Sequence, residues 1–104
     1  MRPIHLVQVD KTRPALVLTR ALALDGMHRV TVAPITTTIR GLDVEVPVGP
    51  RHGLHGDCVV SCDNVTTVPA SSLGRVVGYL FEEDEKALAR ALAVAYDLSF
   101  EDLR

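Results

Sequence analysis

Apolar positions come in short bursts separated by turn formers over the first three-quarters of the chain, and then the period changes. Residues 4–9 are apolar with partial alternation, 15–19 form a nearly continuous apolar run, and 29–36 are rich in β-branched side chains. Residues 44–48 alternate with period two, and 59–62 and 75–80 are two further short runs. Segments of this length and type predict β-strands. Asp10-Lys11-Thr12, Asp25-Gly26, Arg40-Gly41, Gly49-Pro50 and His55-Gly56-Asp57 supply the turns between them. Ala21-Leu22-Ala23-Leu24 predicts a single helical turn. Pro34 and Pro47 have no N–H to give a ladder, so each is expected at an edge or a bulge.

Over residues 82–98 the period is helical. Leu88, Leu92, Ala95 and Tyr96 share one stripe, and Glu82, Glu83, Asp84 and Glu85 stand where carboxylates stabilise the positive end of a helix dipole. Six or so short strands followed by one helix predict a mainly β domain of the α+β kind, a strongly bent antiparallel sheet or barrel capped by a helix. No internal repeat or linker divides residues 1–104, which are expected to form one domain.

Composition narrows the function classes. With 47% hydrophobic residues the chain can build a core without metal or disulfide staples, and 23% charged residues argue against disorder. A net charge of −2 excludes a strongly basic nucleic-acid coat. Charge is nevertheless uneven: residues 1–81 carry eight Lys/Arg against six Asp/Glu, and residues 82–104 carry three against seven. Either the body presents a local basic face, or a solvated acidic helix lies beside a neutral body. No apolar run approaches the ~18 residues of a membrane span. Two cysteines, Cys58 and Cys62, are too few for a disulfide framework, and the expected setting is reduced and cytoplasmic.

Three stretches carry candidate chemistry. In the first, Asp10-Lys11-Thr12-Arg13-Pro14 leads into the run 15–19 and Arg20; Pro14 biases Arg13 to an extended conformation, so its guanidinium projects from the mouth of a strand. The second is Val32-Ala33-Pro34-Ile35-Thr36-Thr37-Thr38-Ile39-Arg40-Gly41, a strand ending in three threonines and an arginine. The third, Gly56-Asp57-Cys58-Val59-Val60-Ser61-Cys62-Asp63-Asn64, runs on to Thr67-Val68 and Ser72-Leu73-Gly74. In this order and spacing, over residues 4–98, they resemble the MazF/PemK family of toxin endoribonucleases.

That resemblance implies an SH3-like barrel with a C-terminal helix, working as a homodimer that a MazE-like antitoxin neutralises. It implies a sequence-specific endoribonuclease that needs no metal or other cofactor and acts on single-stranded RNA, messenger or ribosomal. The family's catalytic arginine falls on Arg13 and its catalytic threonine on Thr36. Thr37, Thr38, Asp63 and Asn64 fall where relatives contact RNA, and Lys11, Arg20 and Arg40 are further candidate RNA contacts. An acidic antitoxin tail would answer to the same arginines. The chain departs from the family pattern in its short Asp10-Lys11-Thr12 loop, and in Thr66-Thr67-Val68-Pro69-Ala70, where relatives carry cations.

The chemistry is plausible on physical grounds. RNA is cut without metal when its own 2′-hydroxyl attacks the adjacent phosphorus in line, leaving a 2′,3′-cyclic phosphate and a 5′-hydroxyl. Charge developing on the phosphorane calls for a fixed cation and a hydrogen-bond donor, and Arg13 and Thr36 are residues of those two types. Other readings remain beside this one: a silent barrel of the same family that binds RNA or antitoxin without cutting, and a peptide-binding adaptor. His52, His55, Cys58 and Cys62 are admissible zinc ligands. Strand spacing opposes them, because residues 58 and 62 of one strand lie ~13 Å apart. Tyr79, Phe81, Tyr96 and Phe100 are expected in the core or a dimer seam. Ile39, Leu42, Leu54, Phe100 and Leu103 have no evident place in a monomer's core.

Overall fold

In the computed structural model, residues 1–8, 11–20, 26 and 28–99 are described. Seven strands form one antiparallel sheet: β1 (Arg2–Gln8), β2 (Thr12–Val17), β3 (Arg29–Thr36), β4 (Glu45–Val48), β5 (Cys58–Ser61), β6 (Thr66–Pro69) and β7 (Leu73–Leu80). Helix α1 (Glu85–Ala95) follows, entered through a 3-10 turn at Glu82–Asp84. The order across the sheet is β4-β5-β3-β2-β1-β7, with β6 also paired to β3, and the strands curl into an open half-barrel.

The apolar runs are explained by burial on both faces of the sheet. One face gathers Ile4, Leu16, Ala33, Ile35, Val60, Leu80 and their neighbours into the main core, closed by Leu88 and Ala91 of α1. The other gathers Val7, Ala15, Val17, Val30, Val32 and Val68. Residues 15–17 therefore have no polar side to show, and their continuous apolar run is that of a strand covered twice. Each fully buried leucine, such as Leu16, Leu80 or Leu88, contributes about 1.5–3 kcal/mol.

β3 departs most from expectation. It is an interior strand with three partners rather than an edge: β2 lies along one side, and on the other Arg29–Val32 pair with β6 while Ile35 and Thr36 pair with β5. Pro34 stands in the gap where the partner changes and no ladder donor is needed. Pro47 does lie on an edge strand, β4. β6, which the pattern did not predict, is short and half-exposed, so its alternation is weak. The helix is shorter than residues 82–98, and Tyr96 is exposed instead of continuing the Leu88 stripe. Leu54 is buried in the main core, whereas Ile39, Leu42 and Tyr79 are exposed. The expected helical turn at residues 21–24, and Phe100 and Leu103, lie outside the described residues.

The 3-10 turn Pro50–His52 docks on β7 through two glycines. Gly53 takes φ +91, and a Cβ on Gly78 would overlap the carbonyl oxygen of His52. Buried His52 ties this turn to the helix entrance: Nδ1 accepts the Gly49 N–H at 3.0 Å, so Nε2 carries the proton and donates to Asp84 Oδ2 at 3.0 Å. Burial raises the Asp84 carboxyl, but the His52 hydrogen bond, the Phe81 N–H and the Arg51 charge outweigh it and hold the group below its ordinary value. Phe81 packs against the His52 ring, with Arg51 over its own ring.

Gly78→Ala is expected to destabilise the fold by about 3 kcal/mol, the upper end for overpacking, because the obstacle is backbone. Gly56→Ala, with nothing near its added methyl, is the silent control. Thermal melts of the two variants check this; equal melting temperatures would contradict the docking.

Candidate functional site

The register of β2 against β3 builds the site. Ala15 pairs with Pro34, Leu16 with Ala33 and Val17 with Val32. Continued by two residues, that register sets Arg13 opposite Thr36, on the sheet face that carries Ala15, Val17, Val30 and Val32. A cleft of about 430 Å³ opens there, lined by Arg13, Pro34, Ile35, Thr36, Thr38, Arg40, Ser61 and Asn64. A smaller groove of about 240 Å³, lined among others by Val7, Val32 and Thr66, continues from it past the shared Arg13 and Pro34.

The cleft exists because β3 changes partner. Between β5 and β6 the chain swings out into a 3-10 turn, Cys62–Asn64, which forms one wall. Asn64 Nδ2 donates to Ser61 Oγ at 2.9 Å, and Ser61 Oγ donates to Asp63 Oδ1 at 2.8 Å. The opposite wall is formed by Thr38 and Arg40, in the segment that leaves β3 with the Thr38 N–H donating to Thr36 Oγ1 at 3.1 Å. That bond leaves the Thr36 hydroxyl proton available to a ligand. Arg40 bridges the walls, with Nε 3.5 Å from Glu45 Oε2 and an Nη 3.6 Å from Asp63 Oδ2. Arg13 is exposed and makes no hydrogen bond or ion pair with another described residue. The lining thus holds two guanidinium groups, hydroxyls and an amide, a set that suits phosphate oxygens.

Not every residue expected at the site is there. Thr37 points to the other sheet face, where it lines a separate cavity with Pro14, Leu54, His55 and Arg75. The alternation that aims Thr36 into the cleft aims its neighbour out. Arg20 is exposed beyond the far end of β2 from Arg13, outside the cleft. Lys11 is exposed beside the start of β2 and does not line the cleft. Asp63 stands at the rim as the partner of Arg40, and Asn64 lines the wall. Ser61 and Glu45 were not anticipated: the first sits in an apolar run, and the second in an alternating strand whose charged position should face water.

The histidine and cysteine set does not assemble. Both His52 ring nitrogens are engaged inside the fold, His55 is exposed, and Cys58 and Cys62 are buried. Burial, then the neighbouring Asp63 carboxylate, push the Cys62 thiol up to about 11, so it stays protonated at neutral pH.

Glu45 shapes the electrostatics behind the cleft. Burial raises its carboxyl, but N–H bonds from Leu42, Arg40 and Gly41 and the charge of Arg40 outweigh this and hold it below its ordinary value. A depressed carboxyl contributes stability above its ordinary value and loses that contribution as pH falls through the folded value.

Residues 6–96 match the family described as PemK-like, MazF-like toxin of type II toxin-antitoxin systems. The endoribonuclease MazF3 of Mycobacterium tuberculosis is 54% identical over 100 residues, spanning 96% of this chain and 97% of that one. The solved structure of the M. tuberculosis toxin MazF-mt6 superposes with a TM-score of 0.93 at 54% identity, covering 95% of this chain and all of the other. A mycobacterial endoribonuclease solved in complex with its cognate antitoxin shares the fold, with a TM-score of 0.83 at 24% identity over 94% of each chain.

Carbon-detected NMR titration of the Glu45 carboxyl is expected to give a midpoint below 4.5. A midpoint at or above 4.5 would contradict the N–H cradle.

Proposed function

The chain belongs to the PemK/MazF family of type II toxin–antitoxin toxins and is an endoribonuclease, and from that premise we propose that it cuts single-stranded RNA in the Arg13–Thr36 cleft without a metal ion. The observation that carries this reading is the β2–β3 register, which sets a forked cation and a hydroxyl across from each other over one open cleft. A phosphate seated between them has Arg13 on its non-bridging oxygens and the Thr36 hydroxyl as a second donor. Their main chains are held by strands, so both groups are delivered to one phosphate as the phosphorane charge develops. The nucleophile is the RNA's own 2′-hydroxyl, and in-line displacement of the 5′-oxygen leaves a 2′,3′-cyclic phosphate and a 5′-hydroxyl. Arg13 is always protonated, so it stabilises charge and does not accept the proton.

Metal independence is supported by the donor set. Hard divalent cations are held by carboxylate and carbonyl oxygens, whereas this lining carries two arginines and no carboxylate of the described residues, and Asp63 at the rim is engaged by Ser61 and Arg40. Thr38, Arg40 and Asn64 grip the RNA on either side of the scissile phosphate. A MazE-like antitoxin inhibits by laying an acidic segment on the same cations, and the toxin works as a homodimer. Competition of this kind weakens as salt rises. No helix of the described residues is long and apolar enough to cross a membrane.

Arg13→Ala is expected to cut at least ~10²-fold more slowly, the scale for loss of one preorganised donor, with an unchanged circular dichroism spectrum. Thr36→Ala should act in the same direction. End-mapping of a long RNA incubated in excess chelator checks both parts: wild-type cleavage persists and leaves cyclic phosphate ends. Wild-type cutting by Arg13→Ala, or cleavage lost to the chelator, would overturn the proposal.

A further inference from the structure

The first residue of β4 is a glutamate hidden from solvent. Glu45 precedes buried Val46 on a strand whose alternation would turn it outward, yet its side chain is only 3% exposed. Its carboxylate accepts N–H bonds from Arg40 and Leu42, both at 3.1 Å, and lies 3.5 Å from Arg40 Nε. The Glu45 N–H returns to the Leu42 carbonyl oxygen at 3.0 Å, closing the turn. All these partners belong to the segment that leads away from Thr36 along the cleft wall. Gly41, at φ +72, gives that segment the left-handed step that lets successive N–H groups converge on one carboxylate.

We propose that Glu45 is a positioning residue for RNA binding: by holding the main chain of Arg40 and Leu42 and the Nε edge of Arg40, it presents the outer face of that guanidinium to an RNA phosphate. This rests on the reading of the cleft as the RNA site. Buried as it is, Glu45 acts through Arg40 and the turn, not by touching RNA. Asp63 holds the other side of the same guanidinium at 3.6 Å, a contact long enough to yield to a phosphate.

The sign of the effect separates positioning from plain charge. A carboxylate beside a polyanion opposes binding, so its removal should tighten RNA binding if charge were its only role. Positioning gives the opposite sign. The test measures KM and kcat on an oligonucleotide spanning a mapped cleavage site for Glu45→Gln, Glu45→Ala, Arg40→Ala and the double variant Glu45→Ala/Arg40→Ala. Glu45→Ala is expected to raise KM about tenfold, the scale of one charge-assisted contact, with kcat nearly unchanged. Glu45→Gln should fall between it and the parent, because an amide oxygen still accepts N–H bonds. Arg40→Ala should match Glu45→Ala, and the double variant should be no worse than Arg40→Ala. The slope of log KM against log salt should drop by about 0.7 in both single alanine variants.

A folded Glu45→Gln with lowered or unchanged KM overturns the inference, as does additivity in the double variant. Should Glu45→Ala fail to fold, Glu45→Gln carries the test alone. If Arg13→Ala cuts like the parent, the cleft reading fails and takes this inference with it. If Arg13→Ala is inactive while Glu45→Gln keeps the parent KM, only the positioning role fails.

Discussion

Strand β3 serves two partners on one side, β6 along its first half and β5 along its second, and the candidate site follows from that division. The chain linking the two partners must leave the sheet at the height of Pro34, and it does so as the Cys62–Asn64 turn. Proline makes the break inexpensive, since the position where the ladder is interrupted has no N–H to strand. The displaced turn opens a cleft over a face that would otherwise be covered. The register on the opposite side of β3, continued past Ala15 and Pro34, turns Arg13 and Thr36 to the same face, and both line the cleft.

Charge is distributed to match. The cleft lining carries cations and hydroxyls, while carboxylates close by are tied down: Glu45 in a cradle of N–H groups and Asp63 by Ser61 and Arg40. Across the molecule Asp84 plays a mechanical part, joining the turn at Pro50–His52 to the helix entrance through His52 and Arg51. The acidic run at residues 82–85 is thus not simply a solvated face. One of its members is a structural anchor, and Glu85 pairs with Arg2 at 2.8 Å to fasten the first strand to the helix.

Arg13 and Thr36 were named from the resemblance of the Arg13-Pro14 and Pro34-Ile35-Thr36 strings to the family's, and the structure sets both on the lining of one cleft. Asn64, also taken from the resemblance, and Arg40, named as a candidate cation, line the same cleft. Thr37 and Arg20, expected as RNA contacts, lie outside this cleft. Motif proximity says nothing of the face a side chain takes, and a shift of one residue along a strand reverses it. Glu45 escaped notice because its burial depends on N–H groups three to five residues away converging in space, which alternation cannot reveal. β6 was missed since its threonines face water on a strand only four residues long. The helix ended early because α1 buries only Leu88, Ala91 and Ala93, and among the described residues nothing covers Tyr96 or Leu98.

The central claim is that a single phosphate of RNA sits between Arg13 and Thr36. NMR chemical-shift mapping with an RNA oligonucleotide made uncleavable by a 2′-deoxy substitution at the cut position tests it most directly. The account predicts that the largest changes fall on the Arg13 Nε–H and the Thr36 amide, extend to Thr38, Arg40 and Asn64, and spare Arg20 and the exposed side of α1. Changes centred on Arg20 or on the cavity beside Thr37, with Arg13 and Thr36 undisturbed, would contradict it.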